Sequence, residues 1–199
     1  INNARKNVFV WIIRAMLDTE AGAFYTLATN LRALILEVLP HGTLGLLAWE
    51  VGDQNRLRYI FLRSIKYAWW LGLFVAAASA LAVPVLVGFI FPKYQPAKPL
   101  FIALIFSLPL IGASRSQEER LLAMREQKLL TARALSSIVL SSIALFIFLP
   151  IFGILAVAIQ NTGSYLFRFL FYRRRMIKKY PYLRFGPMMF LSFGADDRA

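Results

Sequence analysis

The sequence has no cysteine and a single histidine, His41, among its 199 residues. Without cysteine there are no disulfides, no thiolate metal sites and no thiol nucleophile. One histidine rules out the HExxH zinc signature, and neither a glycine-rich phosphate loop nor a nucleophile elbow occurs. The residues therefore carry no enzyme signature and imply no metal and no cofactor. Charge is scarce as well: 17% of residues are Asp, Glu, Lys or Arg, against roughly 25% in soluble domains. Acidic charge is scarcest, with 10 Asp and Glu against 23 Lys and Arg and a net charge of +13. A starting methionine is missing too, and no basic–apolar–small-residue leader follows Ile1, so the chain reads as a fragment that begins inside a span.

Apolar residues take the place of charge. They make up 59% of the chain, where about 45–50% is usual. A soluble core of this size cannot hide that excess, because its surface has to be covered by polar groups. A bilayer removes the difficulty. A spanning helix needs about 20 mainly apolar residues, at 1.5 Å rise each, to cross a core of about 30 Å. Four stretches qualify, roughly 22–47, 67–91, 129–149 and 153–172, and 7–17 is the end of a truncated first helix.

SLPLIGASRSQEERLLAMREQ, residues 107–127, decides the fifth span. Pro99 to Ala113 alone gives about 22 Å of helix, too short to cross. Running the helix on through the charged ASRSQEER supplies the missing length. One helix over 97–124 is expected, kinked at Pro109 and followed by a turn at REQK. The fold class is thus all-α, a multi-pass transmembrane helix bundle of five full spans plus a truncated first helix over 1–175. A basic, partly disordered cytoplasmic tail follows over 176–199. NRLRYIFLRSIKY (55–67) reads as an amphipathic helix lying along the inner interface ahead of its span. VAAASALA (75–82) offers small residues for close helix contact.

Cytoplasmic connections of membrane proteins collect Lys and Arg. Segments 50–66, 115–133 and the stretch after the last span hold 16 basic residues, whereas the intervening connections hold only Lys93 and Lys98. That asymmetry places the C-terminus in the cytoplasm. It also accounts for the net charge: these are topology determinants, with Arg173, Arg174, Arg175, Lys178 and Lys179 lying against anionic headgroups. No nucleic-acid reading motif accompanies the charge, so no nucleic-acid partner is expected.

Ionisable residues inside a span cost at least about 2.5–3.5 kcal/mol at its centre, and so face a cavity or a partner. Three clusters qualify. In the first full span Thr26, Asn30, Glu37 and His41 share one helical face, with Arg32 pointing elsewhere. They fit a polar passage or a buried hydrogen-bonded pair beside Pro40. In the charged half-helix Arg115, Glu118 and Glu119 stand at spacings of three and four. They fit the mouth of an aqueous cavity or an extension laced by intrahelical ion pairs. In the last span Gln160, Ser164 and Arg168 form a stripe at i, i+4 and i+8, beside Asn161. Interhelical hydrogen bonding is the plainer reading of that stripe, and Arg168 alone reads as a topology charge.

The order of these features resembles a known family. EAGAFYTLATNLRALILEVLPHGTLGLL is similar to the span that begins the second half of bacterial polysaccharide-unit flippases. FIFPKYQPAKPLFIAL resembles their exit to the outer side, LLAMREQKLLTARALSS the turn between two later helices, and LPIFGILAVAIQ the short hairpin before the last span. The likeness covers about residues 15–175, with Pro92 where a Gly is usual and an unusually charged SRSQEER. It implies the C-terminal lobe of a transporter in the multidrug/oligosaccharidyl-lipid/polysaccharide exporter superfamily. The implied substrate is an undecaprenyl-diphosphate-linked glycan, turned from the inner to the outer leaflet by alternating access. On that analogy Arg32 and Arg115 meet the diphosphate, and Asn30, Gln160 and Asn161 bond sugar hydroxyls. Glu37, Glu118 and Glu119 carry coupling ions, with His41 able to exchange protons with Glu37. A polysaccharide polymerase or synthesis complex is the implied protein partner. Two relatives, a drug/cation antiporter and a lipid II flippase, stay open, as does a non-transporting scaffold of such a complex.

Overall fold

The structure, a computed structural model, describes residues 2–38, 54–123 and 126–181, and among them there are helices and turns but no strand. Among the described residues seven α-helices follow in order: α1 Asn2–Met16, α2 Thr19–Val38, α3 Gln54–Ile90, α4 Lys98–Ile105, α5 Leu108–Ala123, α6 Gln127–Phe152 and α7 Ala156–Lys179. By length and composition, Arg58–Ile90 and Leu130–Lys179 can cross a membrane, and so can the bent pair Pro92–Ile105 with Leu108–Leu122 if it counts as one span. The outward face of α3 is bare apolar surface, with Phe74 71%, Leu81 77% and Phe89 86% exposed. Water does not tolerate an apolar stripe of that length on a monomer, whereas hydrocarbon does.

Local chemistry sets the breaks. Asp18 ends the α1–α2 turn by accepting the backbone N–H of Ala21 on its carboxylate, a capping contact that starts α2. The expected single helix over 97–124 is two, bent by 45° between Ile105 and Leu108. Pro109 is the cause. A proline ring collides with the carbonyl four residues back, here Ile105, and that is where α4 stops. Pro109 then sits in the first turn of α5, where its missing N–H costs nothing. The hydroxyl of Ser107, fully buried in the break, donates to Leu104 O at 2.6 Å. The charged ASRSQEER is helical throughout, as expected from the sequence.

Two sequence expectations are corrected. The segment 55–67 is not a separate interfacial helix: α3 runs through it unbroken for 37 residues, about 55 Å. Phe61 and Ile65 are buried in a cluster with Ala113, Leu121, Leu130, Tyr172 and Met176, so this end of α3 packs on the bundle instead of on headgroups. Nor does a tail begin at residue 176. RRRMIKK continues α7 as far as Lys179, with Met176 fully buried in the same cluster. The remainder of the expected tail, 182–199, and the last third of the span expected over 22–47, residues 39–47, lie outside the described residues.

The tightest helix contact is between α3 and α5, and it rests on two glycines. A Cβ on Gly72 would stand 2.8 Å from Pro109 Cα, and one on Gly112 would stand 2.7 Å from Ala68 O. Close approach of this kind is what small residues provide between membrane helices. It occurs one turn before the VAAASALA run, of which only Ala76 is buried. The other face of α5 is turned toward α6 and α7. Those two helices fold back on each other at Gly153, whose φ of 55° suits glycine. Ser141 and Ser164 meet across the hairpin at 3.3 Å between hydroxyl oxygens.

Candidate functional site: a cationic chamber among three helices

Along α5, α6 and α7 the same sequence of layers recurs. Leu108 and Ile111, Leu145 and Leu149, and Val157 and Ala158 belong to one apolar core. Leu121, Leu130, and Phe169 with Tyr172 belong to a second core. Between them each helix carries polar residues, and there a chamber of about 390 Å³ opens. Its lining includes Arg115 and Glu118 from α5, Arg133 and Ser137 from α6, and Ser164 and Arg168 from α7. Ile111, Arg115 and Glu118 stand at i, i+4 and i+7, which is why one face of α5 supplies all three.

The lining holds three guanidiniums and one carboxylate. Glu118 forms an ion pair with Arg168, spanning α5 and α7. The guanidiniums of Arg133 and Arg168 both lie over the ring of Tyr172, at 5.5 and 5.6 Å from its centre. Tyr172 is fully buried, so its ring face offers negative potential to two cations that would otherwise repel. Arg115 Nη1 and Arg133 Nε are buried without a hydrogen-bond partner among the described residues. Positive charge in excess of negative, with donors to spare, is chemistry suited to a phosphate or diphosphate.

A second opening, an apolar groove of about 320 Å³, lies between α6 and α7. Arg133, Ser137 and Ser164, on the seam between the two helices, border both. Gln160 borders the groove, buried, and its Nε2 donates to Ser164 Oγ at 2.8 Å.

The sequence-derived candidates divide cleanly. Arg115 and Glu118 line the chamber, and Gln160 lines the groove. Asn161 is buried beside it, but its amide Nδ2 is taken up by Val157 O of its own helix at 2.9 Å. Glu119 is half-buried and outside the lining. The first cluster does not join them. Asn30 and Glu37 are exposed and Arg32 half-buried on α2, which packs on α1, α4 and the turn at 92–97. Thr26 of that face bonds Gly22 O of its own helix at 2.8 Å. His41 lies outside the described residues. Sequence reasoning missed Arg133 and Arg168 as site residues, and it missed the buried Ser114, Gln117 and Arg120 of α5 altogether. Both polar atoms of the Gln117 amide are buried without a hydrogen-bond partner among the described residues. The i, i+4, i+8 stripe of Gln160, Ser164 and Arg168 was the signal that could have found Arg168.

Fold and site together define, among the described residues, an α-helical bundle with much apolar surface and a partly open, arginine-lined chamber between three of its helices. Compared with family models, with curated proteins and with solved structures, the chain has no match.

Proposed function

We propose that the chain is the C-terminal lobe of a membrane transporter that flips a lipid-linked oligosaccharide, a polysaccharide or O-antigen repeat unit, from the inner to the outer leaflet. On this reading the helices form five spans and a shortened first one, in the inner membrane, with the C-terminus cytoplasmic. The observation that carries it is the chamber: Arg115, Arg133 and Arg168 around one carboxylate, set between two apolar cores. A diphosphate linker is the part of such a substrate least able to enter hydrocarbon, and guanidiniums are its best protein partners. The groove lined by Ser136, Ser137, Ser141 and Gln160 adds hydroxyl and amide groups next to it. The same chemistry serves a lipid II flippase, whose substrate also carries a diphosphate. An antiporter of cationic drugs fits less well, since three guanidiniums repel its substrate.

Outside the chamber, Arg174, Arg175 and Lys178 are exposed on the last turns of α7, a position from which they attract anionic lipid or a partner of a synthesis complex. Lys179 is engaged with Glu126 at the start of α6.

The test is restoration of surface polysaccharide in cells lacking the gene, with Arg115→Gln and Arg133→Gln made singly. Each is expected to cut export about tenfold or more at normal protein level, since each leaves a buried phosphate short of a charged donor. Arg32→Gln, on α2, gives the contrast. Normal export by both chamber variants, with loss only on changing Arg32, would move the site to α2 and end this reading.

A further inference from the structure

We propose that one face of the bilayer crosses the bundle between Arg63 and Tyr67 of α3 and near Leu135 of α6 and Leu170 of α7. The chamber then lies at headgroup level, and the second apolar core stands beyond it in water. The inference rests on the membrane reading above and adds the depth at which the site works; on that reading this face is the cytoplasmic one. Exposed side chains change character along each helix. From Arg58 to Lys66 of α3 only Arg63 is exposed, whereas Tyr67, Leu73, Phe74 and Leu81 are exposed farther on. On α6 the exposed Gln127, Lys128 and Thr131 give way to Leu135, Val139 and Leu140. On α7 Leu166, Phe167 and Leu170 give way to Arg174, Arg175 and Lys178. Leu122 is the one large apolar side chain of α3, α5, α6 and α7 exposed past this level among the described residues.

The second core points the same way. Lipid supplies no hydrophobic force to bury an apolar side chain, and water does. Phe61, Ile65, Tyr172 and Met176 are buried together at this end, while Phe74, Leu81 and Phe89 of the same α3 are left bare. Between these regimes Tyr59, Arg63 and Tyr67 stand at i, i+4 and i+8, and the Arg63 guanidinium donates to both hydroxyls at 2.9 and 3.1 Å. Tyrosines with polar tips and arginines that reach for water belong at the membrane–water interface.

Helix register fixes the chamber's depth. Leu135 and Leu170 each stand six residues from the Ser141–Ser164 contact, on the same side of the α6–α7 hairpin. Glu118 is six residues, about 9 Å, past Gly112, which abuts Ala68 beside Tyr67. Its partner Arg168 comes two residues before Leu170. The ion pair thus falls between the level of Tyr67 and that of Leu170, along a boundary that slopes as tilted helices allow. Transporter sites lie near the bilayer midplane; this one is shallower. At that depth water and headgroups solvate three guanidiniums that one carboxylate could not balance in hydrocarbon.

This chain has no cysteine, so single cysteines report depth once any elsewhere in the full protein are replaced. Thiols react as thiolates, which form in water and not in lipid. In nanodiscs both faces meet the anionic reagent sulfonatoethyl methanethiosulfonate, so orientation does not enter. Arg63→Cys, Thr131→Cys and Arg174→Cys are expected to react about a hundredfold or more faster than Leu81→Cys, Ile147→Cys and Gly163→Cys. Gly163 is a clean lipid-side position, since a Cβ there would meet nothing within 4 Å. In the chamber, Ser137→Cys is expected within about tenfold of Thr131→Cys, with a stronger preference for the anionic over a trimethylammonium reagent. Slow reaction at Arg63, Thr131 and Arg174 would put the boundary farther out and overturn the proposal. A fast trio with Ser137→Cys as slow as Ile147→Cys would overturn the headgroup depth of the chamber. Fast reaction at Leu81, Ile147 and Gly163 would show that these helices do not face lipid, ending the membrane reading and the proposal with it.

Discussion

Arg168→Glu is expected to abolish export and to weaken the fold. The change removes the partner of Glu118 and sets two carboxylates against each other inside the bundle. The native pair is only partly exposed, at 13% for Arg168 and 31% for Glu118. Removing one member of such a pair costs about 1–3 kcal/mol, and a like charge in its place adds to that. Thermal unfolding in detergent would show the loss as a lower Tm, and the same cells used for Arg115→Gln would show the loss of export. The decisive companion is the exchange Glu118→Arg with Arg168→Glu. It restores an ion pair and keeps three guanidiniums in the chamber, so both Tm and a substantial part of export should return. If the exchange restores stability without any export, the pair matters only as a strut between α5 and α7. If Arg168→Glu exports normally, the chamber does not handle the substrate.

Gly112→Leu carries the second large effect, this time on the fold alone. Its Cβ would lie 2.7 Å from a backbone oxygen, Ala68 O, and 3.3 Å from the carbonyl carbon. A backbone carbonyl cannot rotate away as a side-chain tip can, so α3 and α5 must part along their whole contact. Overpacking of an ordinary core costs about 1–3 kcal/mol, and separation of two helices belongs at or above that range. Little folded protein should be recovered, and what remains should melt well below wild type. Gly163→Leu is the same chemical change on the open side of the bundle and should be neutral or stabilising. Equal stability of the two variants would mean that the α3–α5 crossing is not held by its glycines.

The all-helical class was legible because long apolar runs of the length that can cross a bilayer read as helix, and because a run that is too short has to be extended. That is how the charged 113–120 was read as helix. The site was less legible, for reasons specific to each residue. Arg115 drew attention because it interrupts an apolar stretch. Arg133 and Arg168 escaped because they lie where hydropathy fades, and a basic residue near the end of an apolar run is usually a topology charge. The structure carries α6 back to Gln127 and α7 on to Lys179, which puts both arginines well inside their helices. The polar face of α2 misled in the opposite direction. Helical periodicity shows which residues share a face but not what the face meets, and α2 is set against α1 and α4. Contacts such as those of Gly72 and Gly112 join helices far apart in sequence and leave no local pattern.

The break at Ile105–Leu108 makes α5 a lever. Glu118 lies eleven residues beyond Ser107, about 16 Å along the helix axis at 1.5 Å per residue. A swing of roughly 10° at the proline-made joint therefore carries its carboxylate about 3 Å, one hydrogen-bond length, while α4 stays fixed in its core. The joint and the charged lining lie toward opposite ends of α5, and because α5 is pressed onto α3 through Gly72 and Gly112, any change of angle at Ser107 would have to move that contact before it reached Glu118 and Arg168.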